Sequence, residues 1–259
     1  MSEVKFKRYC RVSDFQRVYE LCERLGDLYH SNGTDASFWE YAQTFGSFID
    51  EYSHRIGLWE DDGKLIALAT YEIDLGEAYF MLDPNYSYLS HSLIQYAEKY
   101  LTDNNSLTLN LSNAQTALRE SALKQGYSIK NKYPKKIYRF ENGLLNTFLP
   151  DGDVDFRIHM HTTPHFNPTL PVIVIDKKSG DYIDYANAFI EESRKFAYLE
   201  PLCVIPQYRK KCIAKAIISE MIHRTEILGA NCISGGSSNF YSSIGFDTVY
   251  EMEVWVKNI

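Results

Sequence analysis

Apolar positions recur at two different periods along this chain, and the period switches in the same order in each half. After Ser13 and Asp14, residue types that cap helices, Phe15, Val18, Tyr19, Cys22 and Leu25 follow at three- and four-residue spacing, the stripe of an amphipathic helix. A second helix is expected from Asp35 to Phe45, beyond the breaker Ser31-Asn32-Gly33. From Arg55 the pattern changes. Ile56 to Glu60 and Leu65 to Ile73 flank the turn Asp61-Asp62-Gly63-Lys64, which predicts a hairpin, and Glu77 to Leu82 reads as a further strand. Beyond the loop Asp83-Pro84-Asn85-Tyr86, a helix carries Leu89, Leu93, Ile94, Ala97 and Leu101. A strand from Leu107 to Leu111, a helix from Ala114 to Lys124 and a closing strand near Ile137 to Phe140, after the turn Gly126-Tyr127, complete the half.

The second half repeats the plan. A strand at Phe156 precedes Val172 to Asp176, the turn Lys177 to Asp181, and Tyr182 to Ala188, again a hairpin, followed by a strand from Ala197 to Val204. Past Ile205-Pro206-Gln207-Tyr208, the positions Ile213, Ile217, Ile218, Met221 and Ile222 share one helical face, and Gly229 suits the residue that ends it. Cys232 to Ser234 is a short strand, and Gly245-Phe246 leads into a last strand ending at Trp255-Val256-Lys257. The halves align on their P-x-Y and G-aromatic marks, so duplication of one αβ unit is the simplest origin.

Composition narrows the class. A chain of 259 residues is comfortable for two domains, and 45% hydrophobic residues with 20 Tyr and 14 Phe supply two cores. With 34 acidic against 27 basic side chains the net charge is −7, which disfavours nucleic acid or an anionic membrane as partner. Any anionic ligand therefore needs a local site. The five cysteines show no C-x-x-C spacing, which argues against a disulfide framework or a zinc ribbon and fits a reducing, cytoplasmic setting. Neither a signal-type apolar region nor a run near the ~20 residues that span a bilayer is present.

Chemistry concentrates where the strand ending at Val204 meets the helix beginning near Ile213. A helix start leaves backbone amides without partners and carries partial positive charge, and Arg209, Lys210 and Lys211 add cations beside it. The junction is a cradle for a pyrophosphate. Here Val204, Pro206, Tyr208, Arg209 and Ala214 resemble the V-x-P-x-Y-R-x-x-G-x-G/A pattern of Gcn5-related N-acetyltransferases (GNAT), with Cys212 standing where the family usually has glycine. Asn239 and Tyr241-Ser242-Ser243-Ile244-Gly245-Phe246 resemble the family's N...Y-x-x-x-G-F segment. The resemblance implies tandem GNAT-like α/β domains at 1–140 and 151–259, each a mixed, mainly antiparallel sheet flanked by helices. It implies that Cys203, Val204 and Ile205 bond the pantetheine arm of acetyl-CoA. Arg209, Lys210, Lys211, Cys212, Ile213 and Ala214 would then cradle its pyrophosphate, with Asn239 also in the site. Tyr241 would protonate the leaving thiolate, chemistry that a phenol performs readily when held in reach.

A base is needed to free the acceptor amine, and Glu200, on the strand leading into the loop, is the candidate; the family often draws its base from there. The activity implied is transfer of an acetyl group to an amine on a small molecule. The alternative is an acyl-CoA-binding regulatory module without catalysis, which Cys212 allows. Laying Pro84 on Pro206 puts Ser87 at the place of Arg209 and Ser90 at that of Cys212, and laying Gly126 on Gly245 puts Ala122 at that of Tyr241, so the first half reads as a degenerate copy. The stretch between Phe156 and Val172 is too short for the two helices a full domain has there, which suggests that the first half helps to wall the acceptor site. His159, His161 and His165 lack the companions of a tetrahedral metal set, so no metal is expected. The basic run Lys130, Lys132, Lys135, Lys136 and Arg139 reads as a solvated strand edge.

Overall fold

A computed structural model of the chain describes residues 3–27, 32–43, 52–140, 154–157 and 164–257. In the first half the elements are β1 (Lys5–Arg8), α1 (Arg11–Leu25), α2 (Ala36–Ala42), β2 (Gly57–Asp61), β3 (Lys64–Thr70), β4 (Glu77–Leu82), α3 (Ser90–Tyr100), β5 (Thr108–Ser112), α4 (Thr116–Lys124) and β6 (Tyr127–Arg139). The second half contains β7 (Val154–Arg157), β8 (Val172–Asp176), β9 (Tyr182–Glu191), β10 (Phe196–Val204), α5 (Ile213–Ile227), β11 (Cys232–Gly235), α6 (Asn239–Ser243) and β12 (Asp247–Lys257).

The chain forms two compact units that do not follow a linear cut between residues 140 and 151. One is Met1–Lys135 with Val249–Ile259, the other Lys136–Thr248. Closing strands are exchanged. In the first unit the order is β1-β2-β3-β4-β5-β12, because Met252 to Val256 of the last strand pair with Thr108 to Ser112. In the second it is β7-β8-β9-β10-β11-β6, because Lys136 to Arg139 pair with Cys232 to Gly235. Each order is otherwise the same, antiparallel throughout except for one parallel pair, β4 with β5 and β10 with β11. Position along the chain could not reveal this, since it pairs residues far apart in sequence.

Local chemistry explains most boundaries. The first helix begins at Arg11 rather than at a Ser13 or Asp14 cap: Asp14 lies inside the first turn, where its buried carboxylate accepts from the Cys10 amide (3.0 Å) and from Lys7 Nζ (2.6 Å). Helix α5 ends as expected, with Gly229 in the left-handed region (φ +91°) just past it. Its buried face, Ile213, Ile217, Ile218, Met221 and Ile222, packs with Val172, Val174, Ala186, Ala188, Ala197 and Leu199. Each such large side chain stabilises the unit by roughly 1.5–3 kcal/mol. The first unit has its own core around Trp39, Leu58, Leu68, Phe80, Leu93 and Trp255. The basic run on β6 is exposed at Lys130 and Lys132 as expected, but partly ion-paired: Lys132 meets Glu253 (3.1 Å), Lys135 meets Asp35 (3.6 Å), Arg139 meets Asp247 (3.6 Å), and Lys136 is buried. Of the three histidines, His159 and His161 lie outside the described residues, and among those residues no cluster of His, Cys, Asp and Glu could hold a metal. No helix among them is long and apolar enough to cross a membrane.

Candidate acyl-carrier site

In the second unit β10 pairs with its parallel neighbour β11 only from Phe196 to Tyr198. Beyond that point, among the described residues, it pairs with β9 alone, through Leu202, Cys203 and Val204 opposite Ala186, Tyr185 and Asp184. A strand with one edge free presents alternating amides and carbonyls to whatever lies beside it. This edge runs into a 3-10 turn at Pro206–Tyr208 and then into α5, and a cavity of about 610 Å³ opens there. Its walls include Leu202, Cys203, Val204, Tyr208, Arg209, Lys210, Cys212, Ile213, Ala214, Lys215, Ser238, Phe240 and Tyr241. That volume lies within the range of small-molecule sites.

The turn is braced by side-chain hydrogen bonds. Tyr208 donates its hydroxyl to Asp176 Oδ2 (2.8 Å) at the end of β8, and this bond, with the Lys178 amide, holds the Asp176 carboxyl below the usual carboxylate range. Arg209 Nε donates to the Val204 carbonyl (3.0 Å), which folds the loop back on the strand. Lys210 and Cys212 both take left-handed backbone angles, φ +63° and +61°. Cys212 occupies a conformation that glycine adopts freely and a Cβ resists by about 1–2 kcal/mol. The position that departs from the family pattern is therefore a conformational one. Cys212 also precedes α5, and its carbonyl accepts the first helical bond, from Ala216. The amides of Ile213 and Ala214 thus have no acceptor within the helix.

Electrostatics single out an anion. Arg209, Lys210 and Lys211 gather at the positive end of the helix dipole, with Lys215 in the first turn, an arrangement that favours negative charge beside them. Lys211 is the exception in geometry, since its Nζ lies 4.7 Å over the Tyr208 ring and it is not among the described cavity walls. At the other end stands Tyr241, on α6. Burial pushes its phenol above the usual range, with the charges of Glu200 and Cys203 pushing the same way, while the Gly236 amide pulls it down. The Cys203 thiol is likewise pushed up by burial and by Glu200 and Asp184. Glu200 lies in the bulge of β10 between Leu199 and Leu202.

Eight residues expected from the sequence line the cavity: Cys203, Val204, Arg209, Lys210, Cys212, Ile213, Ala214 and Tyr241. Ile205, Lys211, Asn239 and Glu200 do not. The Ile205 amide is committed to the Ile183 carbonyl (3.1 Å), and Asn239 is the exposed first residue of α6. Leu202, Ser238 and Phe240 went unremarked in the sequence, as did Lys215, which a count of one helical turn beyond the loop would have reached. All described walls belong to the second unit, so a contribution from the first half is not among them.

No protein-family model matches the chain, and no curated protein does. Its fold does match solved structures. A GCN5-related N-acetyltransferase from Sphaerobacter thermophilus aligns with a TM-score of 0.61 at 12% identity, over 98% of this chain and 95% of that one. A tandem GNAT protein from the clavulanic acid biosynthesis pathway aligns at 0.65 and 9%, over 98% of both chains. A GNAT-family acetyltransferase from Colwellia psychrerythraea aligns at 0.58 and 12%, over 98% of this chain and all of that one. The architecture is that of tandem GNAT proteins. At these identities the likeness is one of fold.

Proposed function

We propose that the second unit binds acetyl-CoA and transfers the acetyl group to an amine of a small-molecule acceptor by direct attack, without a covalent acyl-enzyme. The observation that carries this reading is the free edge of β10 running into the cation-rich start of α5, with a half-buried phenol beside the strand. The amides and carbonyls of Leu202 to Val204 suit a pantetheine arm lying alongside as an extra strand. The first-turn amides of α5 with Arg209, Lys210 and Lys215 suit the pyrophosphate.

In this reading the amine attacks the thioester carbonyl, the tetrahedral intermediate collapses, and the sulfur leaves with a proton from Tyr241. A donor has to be protonated at the working pH, and the burial of Tyr241 favours that form. Glu200, whose charge reaches both Tyr241 and Cys203, would take the proton that frees the amine. The acidic net charge suits a cationic acceptor. The runner-up is an acyl-CoA-binding module without turnover, favoured by the left-handed Cys212, which lines the cavity.

Calorimetric titration of acetyl-CoA into the wild type and an Arg209→Ala, Lys215→Ala double variant tests the site. Micromolar binding that weakens by roughly 10- to 100-fold in the variant is expected from losing two charge-assisted contacts. Equal affinity in both proteins, or none in either, would remove the site; binding without thiol release across a panel of amines would select the module.

A further inference from the structure

The helix that carries Tyr241 cannot hold itself in place. α6 has five residues, no side-chain cap and no buried residue, and a helix of that length has no stability of its own. What fixes the phenol comes from β6. Lys136 lies directly across from Gly235 of β11, so its side chain and the space above Gly235 share one face of the sheet. The Tyr241 ring fills that space: a Cβ on Gly235 would stand 2.4 Å from its Cδ1, and one on Gly236 would stand 2.8 Å from its Cε2. Over the same face Lys136 Nζ reaches the loop between β11 and α6, donating to the carbonyls of Ser237 (3.0 Å) and Ser238 (2.8 Å). Two residues further, Tyr138 packs on Phe246 (ring centroids 5.4 Å apart), and Phe246 packs edge-on against Tyr241 (5.1 Å).

Lys136 is 3% exposed. Burying an ammonium is expensive, and a methionine would fill similar space without that cost. A lysine offers something methionine lacks, which is the donors that the two loop carbonyls receive. We infer that Lys136 is a positioning residue for acyl transfer, its ammonium clamping the Ser237 and Ser238 carbonyls so that the Tyr241 phenol is held where the departing thiolate is protonated. This rests on Tyr241 as the proton donor, and the experiment separates the two.

The wild type and the variants Tyr241→Phe, Lys136→Met, Lys136→Arg and the Met/Phe double variant are assayed for thiol release from acetyl-CoA with hydroxylamine as a small amine probe. In parallel they are labelled with ring-13C tyrosine, and the resonance missing in Tyr241→Phe assigns Tyr241. Lys136→Met is expected to lower kcat roughly 10- to 100-fold, as a displaced reacting group does, with the KM for acetyl-CoA unchanged and the Tyr241 resonance moved or broadened. Lys136→Arg, which keeps the donors, should recover much of the loss. The double variant should be no slower than Tyr241→Phe alone, because both changes remove one function. A wild-type Tyr241 resonance in Lys136→Met overturns the clamp, and that arm decides even where hydroxylamine is not turned over. Wild-type turnover by Tyr241→Phe removes the donor itself, and with it the clamp's purpose. Should Lys136→Met not fold, Lys136→Gln carries the same comparison.

Discussion

The two units share a sheet order and a brace, and differ in what happens at the place where their parallel strands part. In the first, Tyr86 donates to Asp61 Oδ2 (2.7 Å); in the second, Tyr208 donates to Asp176 Oδ2 (2.8 Å). Both tyrosines close a P-x-Y turn, and both aspartates end the first strand of a hairpin, so the correspondence extends to individual atoms. Yet the first cleft is filled. Gln115, the residue before α4, sends Nε2 to the carbonyls of Phe80 (2.8 Å) and Asn32 (2.8 Å), while its Oε1 receives the Ser112 amide (2.9 Å). Gly33 passes so close that a Cβ would come within 2.0 Å of the Phe80 carbonyl. The residue before α6 in the second unit is Ser238, which lines the open cavity. Near the corresponding turn of the first unit, Arg24 pairs with Asp83 (2.9 Å) and bonds the Leu65 carbonyl. One copy of the fold spends its strand edge on itself and the other leaves it available.

Exchanging the residues that make this difference should break it. Gln115→Ser removes three hydrogen bonds at a buried position and leaves their partners unmet, so the first unit should lose about 3 kcal/mol, read as a lower urea midpoint. A loss below about 0.5 kcal/mol would mean that the cleft is not held by this amide. The reverse exchange, Ser238→Gln, places a plug-sized side chain at the mouth of the second cavity. Acetyl-CoA affinity should fall by roughly 30-fold with little change in stability, since a side chain forced into occupied space costs a few kcal/mol. Unaltered affinity in calorimetry would place the ligand elsewhere.

Much of this was legible beforehand because periodicity and turn chemistry are local. The limits of β4 and β8, the hairpins, the Gly229 stop and the loop from Arg209 to Ala214 all rest on residues within a few positions of one another. The exchange of β6 and β12 was not, because it pairs residues far apart in sequence. The filling of the first cleft depends on Asn32 meeting Phe80 and Gln115, residues far apart in sequence. Ser87, Ser90 and Ala122 signalled that the first copy lacks the loop chemistry, and Gln115 supplies the reason that chemistry would find no room. Lys136 was misread because four basic neighbours made it look like an edge charge. Only the register opposite Gly235 shows where its side chain goes.

A last contrast lies one strand further in. Leu82, two positions before Pro84, pairs with Ala67, whereas Val204, two before Pro206, pairs with Asp184. Ala67 is a fully buried apolar residue; Asp184 is 4% exposed, and neither of its carboxyl oxygens has a hydrogen-bond partner among the described residues. Burial pushes its pKa from 3.8 to about 8. The folded second unit therefore favours the protonated acid, and the sign of the linkage follows: this stabilisation is complete below 3.8 and is lost as pH rises through about 8. Asp184→Asn keeps the shape and removes the titration. Against the wild type, its thermal midpoint should gain steadily across that window, with a stability slope of at most ~1.4 kcal/mol per pH unit, and the difference should level off above it. Parallel curves for the two proteins would mean that Asp184 finds a partner or water in solution. A wild type that loses more stability than the variant toward alkaline pH would place a pH-sensitive carboxyl in the second unit, on β9 beside the strand that carries the free edge.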